Sequence, residues 1–402
     1  MAPKKNKDEK PAYSVELRFG RTKTNLKMGV VGLPNVGKSS FFNLLTKQAA
    51  EAQNFPFCTI KPNEGRCKVP DDRFEKLCEM WKPKSIVPAY LNVTDIAGLV
   101  RGAHEGAGLG NDFLSHIQAV DGIFHMIRLF EDADVTHVDD SVDPVRDLDT
   151  ITQELCLKDL AYYEKVVEAY VTSMKRAQKK IPEEWTACMD KVKGYLEKNQ
   201  LLSKQAWSPI EVEKINEFLP ILITTKPVVY LLNMSEKGYK TKKNKWLSKV
   251  FTWIQEHGGG TIIPFSVDFE EQLFNARDDP AALAAIKAEE GNTDSAIDKI
   301  IKTGHNELNL MYFFTCGEDE VRAWTVYKGA TAPNCAGAIH SDMEKCFIKA
   351  EVCTYEDFLA LQSPGAKTSM AGVKAAGKYR MEGKQYVVKD GDILHIMHNA
   401  RK

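Results

Sequence analysis

What this 402-residue chain lacks narrows its chemistry before any motif is considered. No apolar run approaches the roughly 20 residues that cross a bilayer. The charged start MAPKKNKDEKP has no apolar stretch behind it, which argues against a secretory signal there. Its nine cysteines include no Cys-x-x-Cys pair, and their odd number and scatter speak against both a disulfide framework and a structural zinc. Cys346 and Cys353 lie close together, but no histidine pair completes a metal set. Charge of one sign is missing too: 54 Lys and Arg face 55 Asp and Glu, which excludes a globally basic nucleic-acid binder and leaves only a local basic face. There is no internal repeat. Residues 1–24 read as a basic disordered tail, with PKKNK a nuclear address as the alternative. Reduced thiols place the chain in the cytoplasm, or in the nucleus if that address is read.

What is present is an alternation of short apolar runs with helical segments. NLKMGVVGLPNVGKSSFFNLLTK is a strand, a Gly-rich turn and an amphipathic helix in that order. AYLNVTDIAG, GIFHMIRLF, PVVYLLN and TIIPFS follow, each bounded by Gly, Pro or Asp, as buried parallel strands are. The pattern predicts an α/β doubly wound, mostly parallel sheet with its ligand at the carboxyl ends of the strands. The rhythm breaks over 140–225. Tyr163, Val167, Tyr170 and Met174, and then Trp185, Met189, Val192 and Leu196, recur at helical spacing on either side of Pro182. Two helices forming a hairpin, inserted into the nucleotide domain, are expected; they either project as an arm or lie over the sheet. Beyond about Ile301 the texture changes. LNLMYFFTC and VRAWTVYKGA read as strands, SDMEKCFIKAEV as a short helix, and KQYVVKDGDILHIMH as a hairpin around KDGD, together a small mixed β domain.

GLPNVGKS, residues 32–39, is a Gly-x-x-x-x-Gly-Lys-Ser loop placed between an apolar strand and a helix. In that setting backbone N–H groups converge on phosphates and the helix points its positive end at them. Asn35, Val36, Gly37, Lys38, Ser39 and Ser40 are therefore the candidate phosphate cradle. Lys38 is the group to reach the outer phosphates, and the Ser39 hydroxyl is a Mg²⁺ ligand. Thr59, in NFPFCTI, is a second candidate metal hydroxyl. Asp95 closes the strand before DIAG and is placed to hold a metal-bound water, while Gly98 can offer its N–H to a γ-phosphate. Residues 48–60 and 98–111 are candidate switches.

Two features expected of a guanine-specific hydrolase are missing. Leu99 stands where a water-positioning glutamine is usual and cannot orient water. Where Asn-Lys-x-Asp would read guanine the chain has NMSE, residues 233–236. Glu236 carries an extra methylene that shifts its carboxylate out of register with the guanine N1–H and N2 donors, and adenine offers that carboxylate nothing. Asn233 is expected to support the base pocket or the phosphate loop, Met234 to pack along the base, and Ser266 to end the last base-side loop. The sequence thus favours ATP, with GTP accepted weakly. Among the histidines, His125 reads as packed within a strand and His116 as a surface residue. His137, in DADVTHVDDSVDP beyond a strand end, and His104, in the Gly-rich loop, remain as catalytic candidates.

Taken together, GVVGLPNVGKSS, NFPFCTI, DIAGLVRGAHEGAGLGN, FEDADVTHV, NMSE and YFFTCGEDEVRAWTVYKGATAP resemble the Obg-like ATPases, the YchF subgroup of the Obg-related translation-factor GTPases. The resemblance runs from about Asn25 to His398. It implies a G domain over 25–305 interrupted by the 140–225 arm, a β-grasp TGS domain over 306–390 and an end segment 391–402. It also implies ATP hydrolysis, ribosome association as a monomer, and His137 in place of the glutamine. Asn35 matches an asparagine that in related enzymes helps hold K⁺ beside the phosphates. A competing reading is a non-catalytic, ATP-bound module that binds ribosome or RNA. For that reading, the lysines of EKGYKTKKNKW (236–246) are either an RNA-facing patch or a solvated helix face, and KAAGKYR is equally ambiguous.

Overall fold

The computed structural model describes residues 18–20, 24–52, 63–96, 98, 115–132, 141–288, 293–362 and 368–399, with side chains 48–52 left out. Among the described residues the strands are β1 (Lys27–Val31), β2 (Glu64–Lys68), β3 (Ser85–Val87), β4 (Tyr90–Asp95), β5 (Gly122–Arg128) and β6 (Val228–Asn233). They continue with β7 (Thr261–Phe265), β8 (Leu310–Cys316), β9 (Glu320–Tyr327), β10 (Phe347–Cys353), β11 (Arg380–Glu382) and β12 (Ile393–His398).

The first sheet has the order β2-β4-β1-β5-β6-β7, with every pairing parallel except β2–β4. Every residue of the central strands β5 and β6 is buried, which is why their sequences are apolar without alternation. Helix Lys38–Ala52 follows β1 directly, so the Gly-rich turn lies at the carboxyl end of the sheet. This is the doubly wound architecture expected from the sequence.

The insertion is built on the 33-residue helix Pro144–Arg176, about 50 Å long at 1.5 Å per residue. Its start is fixed by Asp143, whose carboxylate caps Val145 and Arg146 N–H, and by Pro144 in the first turn. Leu148, Ile151 and Leu155 pack into the core of the sheet. Further along, Tyr163 joins a separate core with Trp185, Met189, Val192 and Leu196 from helix Glu183–Glu197. The first helix therefore begins against the sheet and ends in the arm. A third helix, Pro209–Phe218, was not expected; it starts with a Ser208–Glu211 capping box and brings Ile215 to the arm core. The arm root is fastened by Asp159, which is fully buried and accepts from Ile223 N at 2.9 Å, Thr224 N at 2.7 Å and Thr224 Oγ1 at 2.7 Å.

The second sheet runs β11-β10-β12-β8-β9-β3. One face, with Met311, Phe313, Val326 and Leu394, packs under helix Ala332–Ile339, whose Ala332, Cys335 and Ala336 share that core. The other face, with Tyr312, Phe314, Val321 and Ile393, joins the core of the first sheet. Four expectations are corrected here. SDMEKCFIKAEV is only half helix: Ser341–Lys345 is helical, and β10 takes over at Phe347 because its apolar residues complete the sheet core. KQYVVKDGDILHIMH is no hairpin, since Val387 bridges Thr331 while β12 pairs with β10 and β8. The domain does not stop at 390, as β12 runs to His398, nor does it start only at 306, as β3 pairs in parallel with β9. The tail is not wholly detached through residue 24: Asn216 accepts from Gly20 N at 3.1 Å and donates to Arg18 O at 2.9 Å, and Phe19 meets the Trp207 ring edge-on at 6.0 Å. No described helix is long and apolar enough to cross a membrane.

Side chains fix the two sheets to each other. Arg73 Nη2 bonds both Asp71 and Asp390 at 2.8 Å, and Tyr312 Oη donates to Asp71.

Candidate nucleotide site

The Gly-rich turn is held from behind by Asn233, the last residue of β6. Its Nδ2 donates to Val36 O at 3.0 Å and its Oδ1 accepts from Val267 N at 3.1 Å, so one buried amide joins the turn to the helix after β7. Asn233 thus braces the loop, one of the two roles expected of it. Gly37 has φ +97°, and a Cβ there would stand 2.6 Å from Asn233 Nδ2, so both backbone and space demand glycine. The Val36 side chain is buried and only its main chain is available to a ligand. Asn35 is exposed at φ 60°, a conformation that asparagine tolerates better than most residues.

Lys38 is buried, and its ammonium donates to Leu33 O at 2.6 Å. Burial lowers its pKa to about 8, against the opposing pull of the Asp95 carboxylate. Ser39 and Ser40 are exposed at the start of the helix. Ser39 Oγ donates to Asp95 Oδ2 at 3.2 Å, so the strand-end carboxylate and the loop hydroxyl meet as the sequence suggested. Asp95 Oδ1 is buried without a hydrogen-bond partner among the described residues, and burial raises the Asp95 pKa. Gly98 runs over the turn: a Cβ there would come within 3.0–3.1 Å of Pro34 N and Cα. The second switch therefore begins in contact with the phosphate loop. Thr59, Leu99, His104 and His137 lie outside the described residues.

On the base side three expectations change. Met234 is 1% exposed and belongs to the core of the sheet, so its side chain cannot lie along a base; its main chain is what it offers. Ser266 is fully buried and caps the next helix through Phe269 N, which makes it a bracing residue. Glu236 is withdrawn from a base less by its length than by its partners. One carboxylate oxygen pairs with Lys240 Nζ at 2.7 Å and the other accepts from Gln272 Nε2 at 2.6 Å, and these partners hold its pKa below the ordinary value. Lys240 is itself buried, 5.2 Å from the Phe269 ring centre. It therefore leaves the supposed basic patch, and Lys245 is paired with Glu131 at 2.5 Å; Lys237, Lys242 and Lys243 stay exposed. In KAAGKYR, Lys378 and Arg380 face Asp357 and Glu382 at 3.4 and 3.7 Å.

His125 is buried inside β5, where desolvation lowers its pKa to about 4, and His116 is exposed. Sequence reasoning missed Arg128. It ends β5 at 1% exposure, and its guanidinium donates to Phe130 O at 3.1 Å and Asn35 O at 3.4 Å. It joins the phosphate loop to the chain that leads on to His137. The only signal available was an arginine closing an otherwise apolar strand.

The lowered Lys38 pKa makes a prediction. In the free protein the ammonium loses its proton as pH rises through about 8, whereas a bound polyphosphate favours the charged form. Between that pH and the ordinary lysine range, binding should take up a proton, and affinity should fall by up to about tenfold per pH unit. Calorimetry in two buffers of different ionisation enthalpy checks the proton count. Affinity that stays flat from about pH 7 to 10 would contradict it.

Residues 27–159 match the family described as 50S ribosome-binding GTPase, and residues 310–399 match YchF-GTPase_C, described as a protein of unknown function (DUF933). The chain is 54% identical to Obg-like ATPase 1 of Oryza sativa subsp. japonica and 50% identical to Obg-like ATPase 1 of Homo sapiens, covering 100% of this chain and 98% of each relative. Among solved structures it is similar to the Schizosaccharomyces pombe YchF GTPase, with TM-score 0.83 and 44% identity, covering 95% of this chain and 100% of that one.

Proposed function

The chain belongs to the Obg-like ATPase family, with the P-loop nucleotide domain of the YchF proteins, and on that premise we propose that it hydrolyses ATP in preference to GTP as a ribosome-associated switch. The observation that carries the base preference is the double engagement of Glu236. With one carboxylate oxygen bonded to Lys240 and the other to Gln272, the residue at the guanine-reading position is held on protein donors, and gripping N1–H and N2 would compete with those bonds. Adenine needs none there, so ATP loses nothing.

The residues present fit Mg²⁺. Asp95 Oδ1, buried and unpartnered beside the Ser39 hydroxyl, is the acceptor that a metal-bound water would satisfy. Ser39 would ligate the ion, with Thr59 as the second hydroxyl. When bound, Mg²⁺ neutralises charge on the phosphates. The chain's own residues do the rest. Backbone N–H groups around Gly37 cradle the phosphates, and Lys38 leaves the Leu33 carbonyl for a phosphate oxygen. Gly98 carries the start of the second switch across Pro34, so a γ-phosphate would be felt there. His137 would hold the attacking water, and Asn35 would help hold a K⁺ whose charge would stand in for the arginine finger of other enzymes.

The test is affinity and turnover with each nucleotide. ATP should bind at least about tenfold more tightly than GTP. Lys240→Met with Gln272→Met, which frees both Glu236 oxygens, should narrow that ratio. Equal affinities in the unmodified protein would sink the base argument. Met234→Lys is a poor probe, because it would bury a charge in the core.

Support for the ribosomal role comes from the match of residues 27–159 and from the exposed Lys237, Lys242 and Lys243 beside the base pocket. Co-sedimentation with ribosomes should be stronger with a non-hydrolysable ATP analogue than with ADP. Sedimentation indifferent to nucleotide would favour the non-catalytic binding module.

A further inference from the structure

Away from the phosphate loop, the structure holds a cavity of about 700 Å³ where three parts of the molecule meet. Leu26, Asp121 and Pro227, which border it, immediately precede β1, β5 and β6. The cavity thus opens at the amino ends of the strands, across the sheet from Lys38. The arm root supplies Lys204 and Trp207, and the C-terminal domain supplies Tyr327 and Lys328. Its volume lies within the range of small-molecule sites.

The charges around it are unevenly satisfied. Asp121 already accepts from Lys27 N at 3.0 Å, and Glu307 accepts from Thr261 Oγ1 at 2.9 Å. Lys226 spends its ammonium on the carbonyls of Ile117 at 2.6 Å, Gln118 at 2.9 Å and Val120. Lys204 differs. It is half-buried, its ammonium lies beside Gly260 and the Tyr230 ring, and no described residue hydrogen-bonds or ion-pairs with that ammonium. Glu307 attracts it only from a distance, and burial holds its pKa below the ordinary lysine value. Lys328, exposed on the rim, has no ion-pair partner among the described residues either. The Lys204 ammonium still reaches solvent, so an anion in the cavity would replace water as its acceptor, in a partly desolvated setting where a charge-assisted bond is strengthened.

We propose that this cavity is a second ligand site, which takes a small phosphorylated molecule with its phosphate on Lys204 and Lys328 and its body against Trp207 and Tyr327. Lysine suits a phosphate as a point charge, and the aromatic walls suit a flat or apolar remainder. Because the walls belong to the arm root, the nucleotide domain and the C-terminal domain, occupancy would stabilise their present arrangement.

Inorganic pyrophosphate is the probe, applied to the full chain carrying Lys38→Ala, so that the phosphate loop does not compete for it. Amine labelling read residue by residue should show Lys204 protected at least about fivefold by pyrophosphate, with exposed Lys237 as the unprotected control. By calorimetry, Lys204→Gln should weaken this binding at least tenfold and Lys328→Gln severalfold, charge-assisted hydrogen bonds being lost in each. In the unmodified chain pyrophosphate should fill two sites, of which Lys38→Ala removes one and Lys204→Gln the other. A loss of all binding in Lys38→Ala, no protection of Lys204, or equal protection by citrate would each overturn the assignment. Failure of the nucleotide reading would look different: Lys38→Ala would then leave pyrophosphate stoichiometry unchanged.

Discussion

Replacing His137 with alanine is expected to lower turnover by a factor on the order of 10²–10⁴, the range of one positioned acid–base group. Leu99 has no polar atom with which to orient water, so another group must hold it. His137 belongs to the segment after Phe130–Asp132. The start of that segment is tied to the phosphate loop through Arg128, which donates to Phe130 O and Asn35 O. Nucleotide affinity should change little, because the proposed role of the histidine is on the water and not on the ground-state phosphates. The basal rate of the unmodified protein should be slow, since it lacks the glutamine that positions water in related enzymes. Single-turnover hydrolysis and nucleotide affinity of His137→Ala and His104→Ala decide the matter. Full activity in the first with loss in the second moves the role to the Gly-rich loop. If both remain active, backbone donors and cations alone carry the reaction. Potassium should raise the rate, and Asn35→Ala should remove that dependence.

Lys38→Ala should slow turnover by a factor on the order of 10²–10³, the loss typical of one preorganised donor to a developing charge, and should weaken nucleotide binding as well. The free protein should not lose stability in proportion. In the absence of ligand the Lys38 ammonium is buried with the Leu33 carbonyl as its hydrogen-bond acceptor, and burial disfavours its charge. Removing it takes away a desolvation cost together with a hydrogen bond. The thermal midpoint of Lys38→Ala without nucleotide should therefore match the parent, while the shift produced by nucleotide shrinks. Turnover that survives the substitution would mean the essential cation is held elsewhere, beside Asn35. A large drop in the ligand-free midpoint would show that Lys38 acts mainly as a structural residue.

The sequence by itself determined the doubly wound sheet, the position of the phosphate loop and the existence of the arm. These features rest on local rules: apolar runs at strand length, a Gly-rich turn between strand and helix, and helical spacing broken at Pro182. That Ser39 and Asp95 lie near one another was legible for the same reason, since the loop after β1 and the end of β4 both lie at the carboxyl edge of the sheet; the direct hydrogen bond between them was not. Only the tertiary structure decided the rest. Glu236 reads as an ion beside a base until Lys240 and Gln272, four and 36 positions on, are folded against it. Met234 looks available until β6 is buried on both faces. Strand β3 lies within the nucleotide domain in sequence yet completes the second sheet, because hydrogen-bond partners are chosen by proximity in space. Lys204 shows no chemistry in the sequence; its character comes from burial beside Tyr230 and from the placement of every nearby carboxylate on another partner. Pattern fixes which segments fold, whereas desolvation and long-range pairing fix what each charged side chain is free to do.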